Sequence, residues 1–128
     1  MRILIVEDSD SIRYMIETLV SARGHAVEAV SNGAKGIQAA LARPPDAVLL
    51  DLHMAGSFDG FDVCKRLRET EGTRAVPIIV ISALTDPASK QRALEAGANA
   101  YYTKPFSPTA LLKELELLSN KGRSDQVK

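Results

Sequence analysis

Apolar residues in this chain fall into two alternating patterns. Short β-rich runs occupy Ile3–Val6, Ala26–Val30, Ala47–Leu50, Ile78–Ile81 and Ala100–Thr103. The first, third and fourth are continuously apolar, as central parallel strands covered on both faces should be. Between the runs, apolar residues recur with helical spacing. Ile12, Ile16, Leu19 and Val20 share one helical face, and Gly24 supplies a stop. Ala34, Ile37 and Leu41 form a second stripe, ended by Pro44-Pro45, and Phe61, Cys64 and Leu67 form a third. Asp86-Pro87 and Ser107-Pro108 each read as an N-cap followed by proline at the first helical position. The helix after Pro87 has the thinnest stripe, mainly Ala93 and Leu94, and is expected to pack loosely. The last helix carries Leu111, Leu115 and Leu118 on one side, with Leu112 beside them. From Ser119 the chain turns polar, so residues 1–118 are expected to form the domain and 119–128 a frayed tail or the start of a linker.

Five strands alternating with five helices predict an α/β fold, a flavodoxin-like doubly wound (βα)5 unit with one five-stranded parallel sheet and right-handed crossovers. Ligands of such sheets bind beyond the carboxyl ends of the strands, where the strand order reverses. Glu7 and Asp8 follow the first strand, Asp51 the third and Ser82 the fourth, while the fifth ends in Thr103-Lys104-Pro105. The second ends in Ser31-Asn32-Gly33, which is turn chemistry. That assigns strand two to the margin and fits an order 2-1-3-4-5.

Each of these residues has a plainer role open to it. Asp51 and Asp8 could cap a turn or a helix, Ser82 could begin a loop, and Lys104 could lie over an apolar rim. Taken jointly they point elsewhere, because separate segments deliver complementary groups to one place. Neighbouring carboxylates raise one another's pKa, and an ammonium or a divalent cation relieves them. Magnesium suits such a set, since it takes one or two carboxylates and completes its shell with water and phosphate oxygens. A carboxylate beside it can attack a phosphoryl group and form an aspartyl-phosphate. Lys104 and the Ser82 hydroxyl would help hold the phosphoryl oxygens. On this reading Asp51 is the acceptor.

Composition limits the alternatives. The 128 residues suffice for one domain, and 16 basic side chains balance 16 acidic ones. No net field draws the chain to nucleic acid or to an anionic membrane, and without tryptophan a base-stacking platform is not expected. Apolar runs fall far short of the ~20 residues needed to cross a bilayer. The opening MRILIVED is no secretory signal, and Cys64 is the single cysteine, so a cytoplasmic location is expected.

The segments ILIVEDS, PDAVLLDLHM, DGFDVCKRLR, PIIVISAL and ALEAGANAYYTKPF, with the closing amphipathic helix, resemble the receiver domain of two-component response regulators, a CheY-like unit. The resemblance runs from Arg2 to Leu118. It implies Asp51 as phosphoacceptor, Asp8 as a direct magnesium ligand, Glu7 acting through water, and the backbone carbonyl of His53 as a further ligand. It also implies Ser82 and Tyr101 as switch residues, Lys104 as the phosphate-binding lysine, and a cis peptide at Lys104-Pro105. The phosphodonor would be a sensor histidine kinase or a histidine phosphotransfer protein. Phosphorylation would draw Ser82 inward, let Tyr101 rotate toward the core, and alter the surface of helix 4, strand 5 and helix 5 for a downstream effector. Such a domain phosphorylates and dephosphorylates itself and turns over no separate metabolite.

Some positions depart from the family pattern. Glu7 stands where aspartate is more usual, Ala55 replaces a proline in a loop that reads one residue longer, and Asn99-Ala100 replaces an acidic pair tied to dimerisation. His53 and Leu84, each two residues past a site residue, are expected to tune phosphate lifetime. His53 itself is read as a solvent-facing loop residue, and His25 as a turn residue. Cys64 reads as an inert core thiol, and Asp59, Asp62 and Asp86 as turn and cap residues. A flavodoxin-type mononucleotide binder would want hydroxyls and amides after strand one, where EDSDS offers carboxylates. A haloacid-dehalogenase-like phosphatase would carry its paired aspartates after strand one, whereas Leu52-His53 follow Asp51 after strand three. The remaining alternative is a pseudo-receiver that only docks proteins.

Overall fold

The computed structural model describes residues 1–54, 56 and 58–127, with residues 119–127 as backbone only. Its elements are β1 (Arg2–Val6), α1 (Asp10–Ser21), β2 (Ala26–Val30), α2 (Gly33–Ala42), β3 (Ala47–Leu50), α3 (Gly60–Glu69), β4 (Ile78–Ser82), α4 (Pro87–Ala96), β5 (Ala100–Thr103) and α5 (Pro108–Val127). A short 3-10 turn, Glu71–Thr73, lies between α3 and β4. The strands form one parallel sheet in the order β2-β1-β3-β4-β5. This is the flavodoxin-like arrangement expected from the sequence.

The continuous apolar strands are explained by two cores. Successive side chains of a strand point to opposite faces. Ile3, Ile5, Ala47, Leu49, Ile79 and Ile81 face α1 and α5, where they meet Ile16, Val20, Leu111 and Leu115. Leu4, Val6, Val48, Leu50, Ile78 and Val80 face the other way, onto Ile37, Ala40, Val63, Cys64 and Leu67. A strand with both faces buried has no polar position to spare.

Three details differ from the sequence reading. In α2 the buried residues are Gly33, Gly36, Ile37 and Ala40, whereas Ala34 and Leu41 are exposed. The apolar spacing hid the cause, which is that the buried face contains glycine: a Cβ at Gly36 would stand 2.8 Å from Val6 Cγ2, so the helix backbone itself lies against the strand. In α4 the stripe is thinner still than expected, since Ala93 is fully buried but Leu94 is 39% exposed. The chain from Ser119, read as a frayed tail or the start of a linker, continues α5 as helix to Val127. Its polar residues are compatible with helix because propensity does not require an apolar face. Ala55, on which the loop comparison turned, and Ser57 of the same loop lie outside the described residues.

Candidate functional site

The site follows from strand register. Val6 of β1 is paired with Leu50 of β3, so the next residues, Glu7 and Asp51, leave the sheet side by side. The amide of Asp51 donates to the carbonyl of Val6 at 2.9 Å, which extends the ladder one step into the loop. On the other side Ser82 of β4 pairs with Thr103 of β5, and the amide of Lys104 donates to the Ser82 carbonyl at 2.7 Å. Two adjacent pairs of strand ends thus deliver all four groups. The Lys104-Pro105 peptide is cis.

Glu7, Asp8 and Asp51 each offer a carboxylate oxygen, and these lie within 4.8 Å of one another. Asp8 is exposed, while Glu7 and Asp51 are buried at 2% and 5% exposure. Lys104 Nζ lies 2.7 Å from Glu7 Oε1 and 3.6 Å from Asp51 Oδ1. Glu7 also accepts from the Ser9 amide at 3.1 Å, and Asp51 from the His53 amide at 3.3 Å. Ser82 is fully buried, and its hydroxyl oxygen accepts from the Leu84 amide at 3.0 Å.

The carboxyl pair divides its protons unequally. Burial pushes Asp51 up, the neighbouring Glu7 adds to the push, and together they bring it to about 7 against the opposing pull of Lys104. Burial acts on Glu7 in the same sense, but the Lys104 ammonium and the Ser9 amide outweigh it and hold Glu7 below its ordinary value. One ammonium therefore does not neutralise this cluster. The unmet charge, the oxygen-only donor set and the exposed position of Asp8 all fit a hard divalent cation.

Most residues singled out by sequence converge here. Tyr101 lies on β5 with its ring against the α2–α3 side of the core, and its hydroxyl donates to the Leu84 carbonyl at 2.7 Å rather than standing in water. Ser82 and Tyr101 are thereby joined through one residue, Leu84. Asp8 does not cap α1, because Ser9 does, accepting from the Ile12 amide. His53 is exposed. Cys64 is buried, and burial raises its thiol to about 12, which fits the inert core thiol expected from the sequence. Asp59 and Asp62 form a reciprocal capping box on α3, and Asp86 caps α4. Arg13 was missed from sequence. Its guanidinium donates to the Glu7 carbonyl at 2.9 Å and to Asp10 at 2.6 Å, holding the acidic turn in place. Its spacing after Asp10 signals only an ordinary helix-surface ion pair.

Comparison with known proteins agrees with this fold. The family model for the response regulator receiver domain matches residues 3–116. Among curated proteins, the transcriptional regulatory protein GltR of Pseudomonas aeruginosa is 36% identical over 126 residues, covering 98% of this chain and 52% of that protein. The transcriptional regulatory protein KdpE of Mycobacterium tuberculosis is 39% identical over 113 residues, covering 88% of this chain and 48% of that one. The chain thus spans about half the length of these curated relatives. Among solved structures, the chemotaxis response regulator CheY4 of Vibrio cholerae superposes with a TM-score of 0.84 at 31% identity, covering 91% of this chain and 97% of that one. The receiver domain of the sensor histidine kinase PA1611 of Pseudomonas aeruginosa gives the same TM-score, 0.84, at 31% identity, covering 91% and 95%; its structure has a magnesium ion coordinated in the active site cleft. The chain belongs to the response regulator receiver domain family, the receiving unit of two-component signalling. Among its described residues, no helix is long and apolar enough to cross a membrane.

Proposed function

We propose that this domain accepts a phosphoryl group on Asp51 and that the modification switches a protein-binding surface. The observation that carries the reading is the convergence of Glu7, Asp8 and Asp51 within 4.8 Å, with Lys104 Nζ 3.6 Å from Asp51. Asp8 and Asp51, with the backbone carbonyl of His53, would hold magnesium, and Glu7 would reach it through water. When bound, the ion supplies positive charge against the phosphoryl oxygens and keeps Asp51 ionised.

The chain's own residues do the rest. A carboxylate oxygen of Asp51 forms a bond to phosphorus as the N–P bond of a phosphohistidine donor breaks, and the bonding pair leaves with the imidazole nitrogen. Lys104, already beside Asp51, pairs with one phosphoryl oxygen. Ser82 donates a hydrogen bond from its hydroxyl to another, and by moving toward it gives up the bond it accepts from the Leu84 amide. That change reaches Tyr101, whose hydroxyl holds the same residue's carbonyl. Solvent access past His53 and Leu84 then sets the lifetime of the acyl phosphate.

The donor is a sensor histidine kinase or a histidine phosphotransfer protein. An apolar groove of about 430 Å3, lined by Ile12, Met15, Lys104, Pro105, Phe106 and Pro108, gives such a partner a surface beside the acceptor. The effector is a downstream protein or domain. The receiver unit is residues 1–118 of a cytoplasmic protein, and its balanced charge supports a unit that itself makes no nucleic-acid contact.

Incubation with a small phosphodonor and magnesium should add one phosphoryl group to the wild type, read by intact mass, and none to Asp51→Asn. An unmodified wild type, or an undiminished adduct in the variant, refutes the assignment. Magnesium should bind without phosphate, and Asp8→Ala should abolish the binding; an unchanged calorimetric titration would remove Asp8 from the ligand set.

A further inference from the structure

Arg68 is a guanidinium on the apolar stripe of α3, four residues after Cys64 and seven after Phe61. It does not reach for solvent. Its Nε and Nη2 donate to the carbonyl of Gly97 at 3.0 and 2.8 Å, and Nη2 donates also to Asn99 Oδ1 at 2.9 Å. Its Nη1 donates to the carbonyls of Arg74 and Val76 at 2.9 and 2.7 Å. Asn99 Oδ1 in turn accepts from the Ile78 amide at 2.8 Å, so the network ends on the first residue of β4. Gly97 caps α4 in the left-handed region, φ +118°, and a Cβ there would stand 2.6 Å from Arg68 Cγ. One planar fork therefore ties α3, the loop before β4 and the C-terminal end of α4 together.

Among the described residues, the other end of α4 has no such tie. Asp86 caps it through Ser89, a bond internal to the helix, and Pro87, Ala88, Lys90, Gln91 and Arg92 are exposed. Beside it lies a cavity of about 600 Å3 lined by Thr85, Pro87, Lys90, Tyr101, Thr103 and Phe106, among others. Midway, Arg92 lies over the Phe61 ring at 3.9 Å from its centroid, a single cation–π contact to α3.

We infer that Arg68 pins the C-terminal end of α4 and makes it a pivot, so that a change at Ser82 and Leu84 displaces the N-terminal half of the helix while Gly97–Asn99 stay fixed. The driving change rests on the proposed phosphorylation of Asp51; the clamp does not. The amides of Gly97, Ala98 and Asn99 all donate to backbone carbonyls, so hydrogen exchange reads the pinned end directly.

The test is residue-resolved hydrogen exchange on the whole chain, with and without magnesium plus beryllofluoride as a stable phosphoryl mimic. In wild type the mimic should alter exchange across residues 84–92 at least threefold and leave 97–99 within twofold. In Arg68→Lys, which keeps the charge but cannot span the same acceptors, exchange at 97–99 without the mimic should rise at least tenfold, and the mimic's effect should spread along the helix. Arg68→Met serves as a second variant, and unfolding curves confirm that each variant folds. Unchanged protection at 97–99 in folded variants overturns the clamp; a mimic effect as large at 97–99 as at 87–91 in wild type overturns the pivot. A mimic that changes no amide in wild type refutes the phosphoacceptor reading and overturns the pivot with it, while the mimic-free comparison still decides the clamp.

Discussion

Helices α3 and α4 invite comparison because they are built to one plan and end differently. Each has ten residues and an aspartate N-cap, Asp59 or Asp86, and each follows a strand whose end contributes to the site. Helix α3 buries Gly60, Val63, Cys64 and Leu67. Among the described residues of α4, Ala93 is the buried one. At ~25 cal/mol per Å2 of apolar surface removed from water, the two helices must differ by several kcal/mol in what holds them to the sheet. The difference assigns them separate duties. Helix α3 keeps Asp51 in place, with Gly60 so close to Asp51 and Leu52 that a Cβ would stand 2.6 Å from Leu52 Cα. Helix α4, held by Arg68 at its C-terminal end, is left free to respond at its N-terminal end.

The largest effect expected from breaking this contrast is in the packing. Leu67→Ala should cost about 2–5 kcal/mol, as for other fully buried leucines, whereas Leu94→Ala should stay within about 0.5 kcal/mol. Urea unfolding of both variants checks it, and comparable losses would mean that α4 is held as firmly as α3.

The contrast can be sharpened through pH, using the carboxylate that α3 supports. The folded state binds the Asp51 proton more tightly than the unfolded state, because burial and Glu7 raise it to about 7. Without a divalent ion, this residue therefore makes stability fall as pH rises between about 4 and 7. Glu7, depressed in the folded state, contributes in the opposite sense, and its stabilisation is lost as pH falls through its lowered value. Asp51→Asn should remove the first slope and gain about 1–3 kcal/mol on wild type at pH 8 relative to pH 5. Chelated samples unfolded in urea at both pH values test this. Amide protection in α3 should follow the global change, and that in the first turns of α4 should not.

The smallest effect concerns the caps. Asp59→Ala should lower global stability by about 1 kcal/mol, because its helix unfolds with the core. Asp86→Ala should cost less than half as much globally and show instead as faster local exchange over residues 87–91. Equal global losses would contradict the division between the two helices.

Much of the fold was legible because two-sided burial leaves its mark on strands. A run such as Ala47–Leu50 has no polar position, and parallel pairing is the arrangement that covers both faces. The site was legible for a related reason. Charged residues placed directly after such runs, Glu7 and Asp51 above all, have to emerge at one edge of the sheet. Where the reading failed, backbone proximity replaced side-chain hydrophobicity. Gly36 belongs to the buried face of α2 and carries no apolar side chain to announce it. Arg68 was hidden differently, since a guanidinium on an apolar stripe has acceptors only from segments distant in sequence.

The sequence alone determined the element order, the parallel sheet and the residues at the strand ends, because hydrophobic period and turn chemistry are local properties of the chain. The tertiary structure decided how the charges are shared: Lys104 closer to Glu7 than to Asp51, Asp51 raised and Glu7 lowered. It also decided which end of α4 is tied. Those outcomes depend on distances between segments and on burial, and neither is fixed by the order of residues within any one segment.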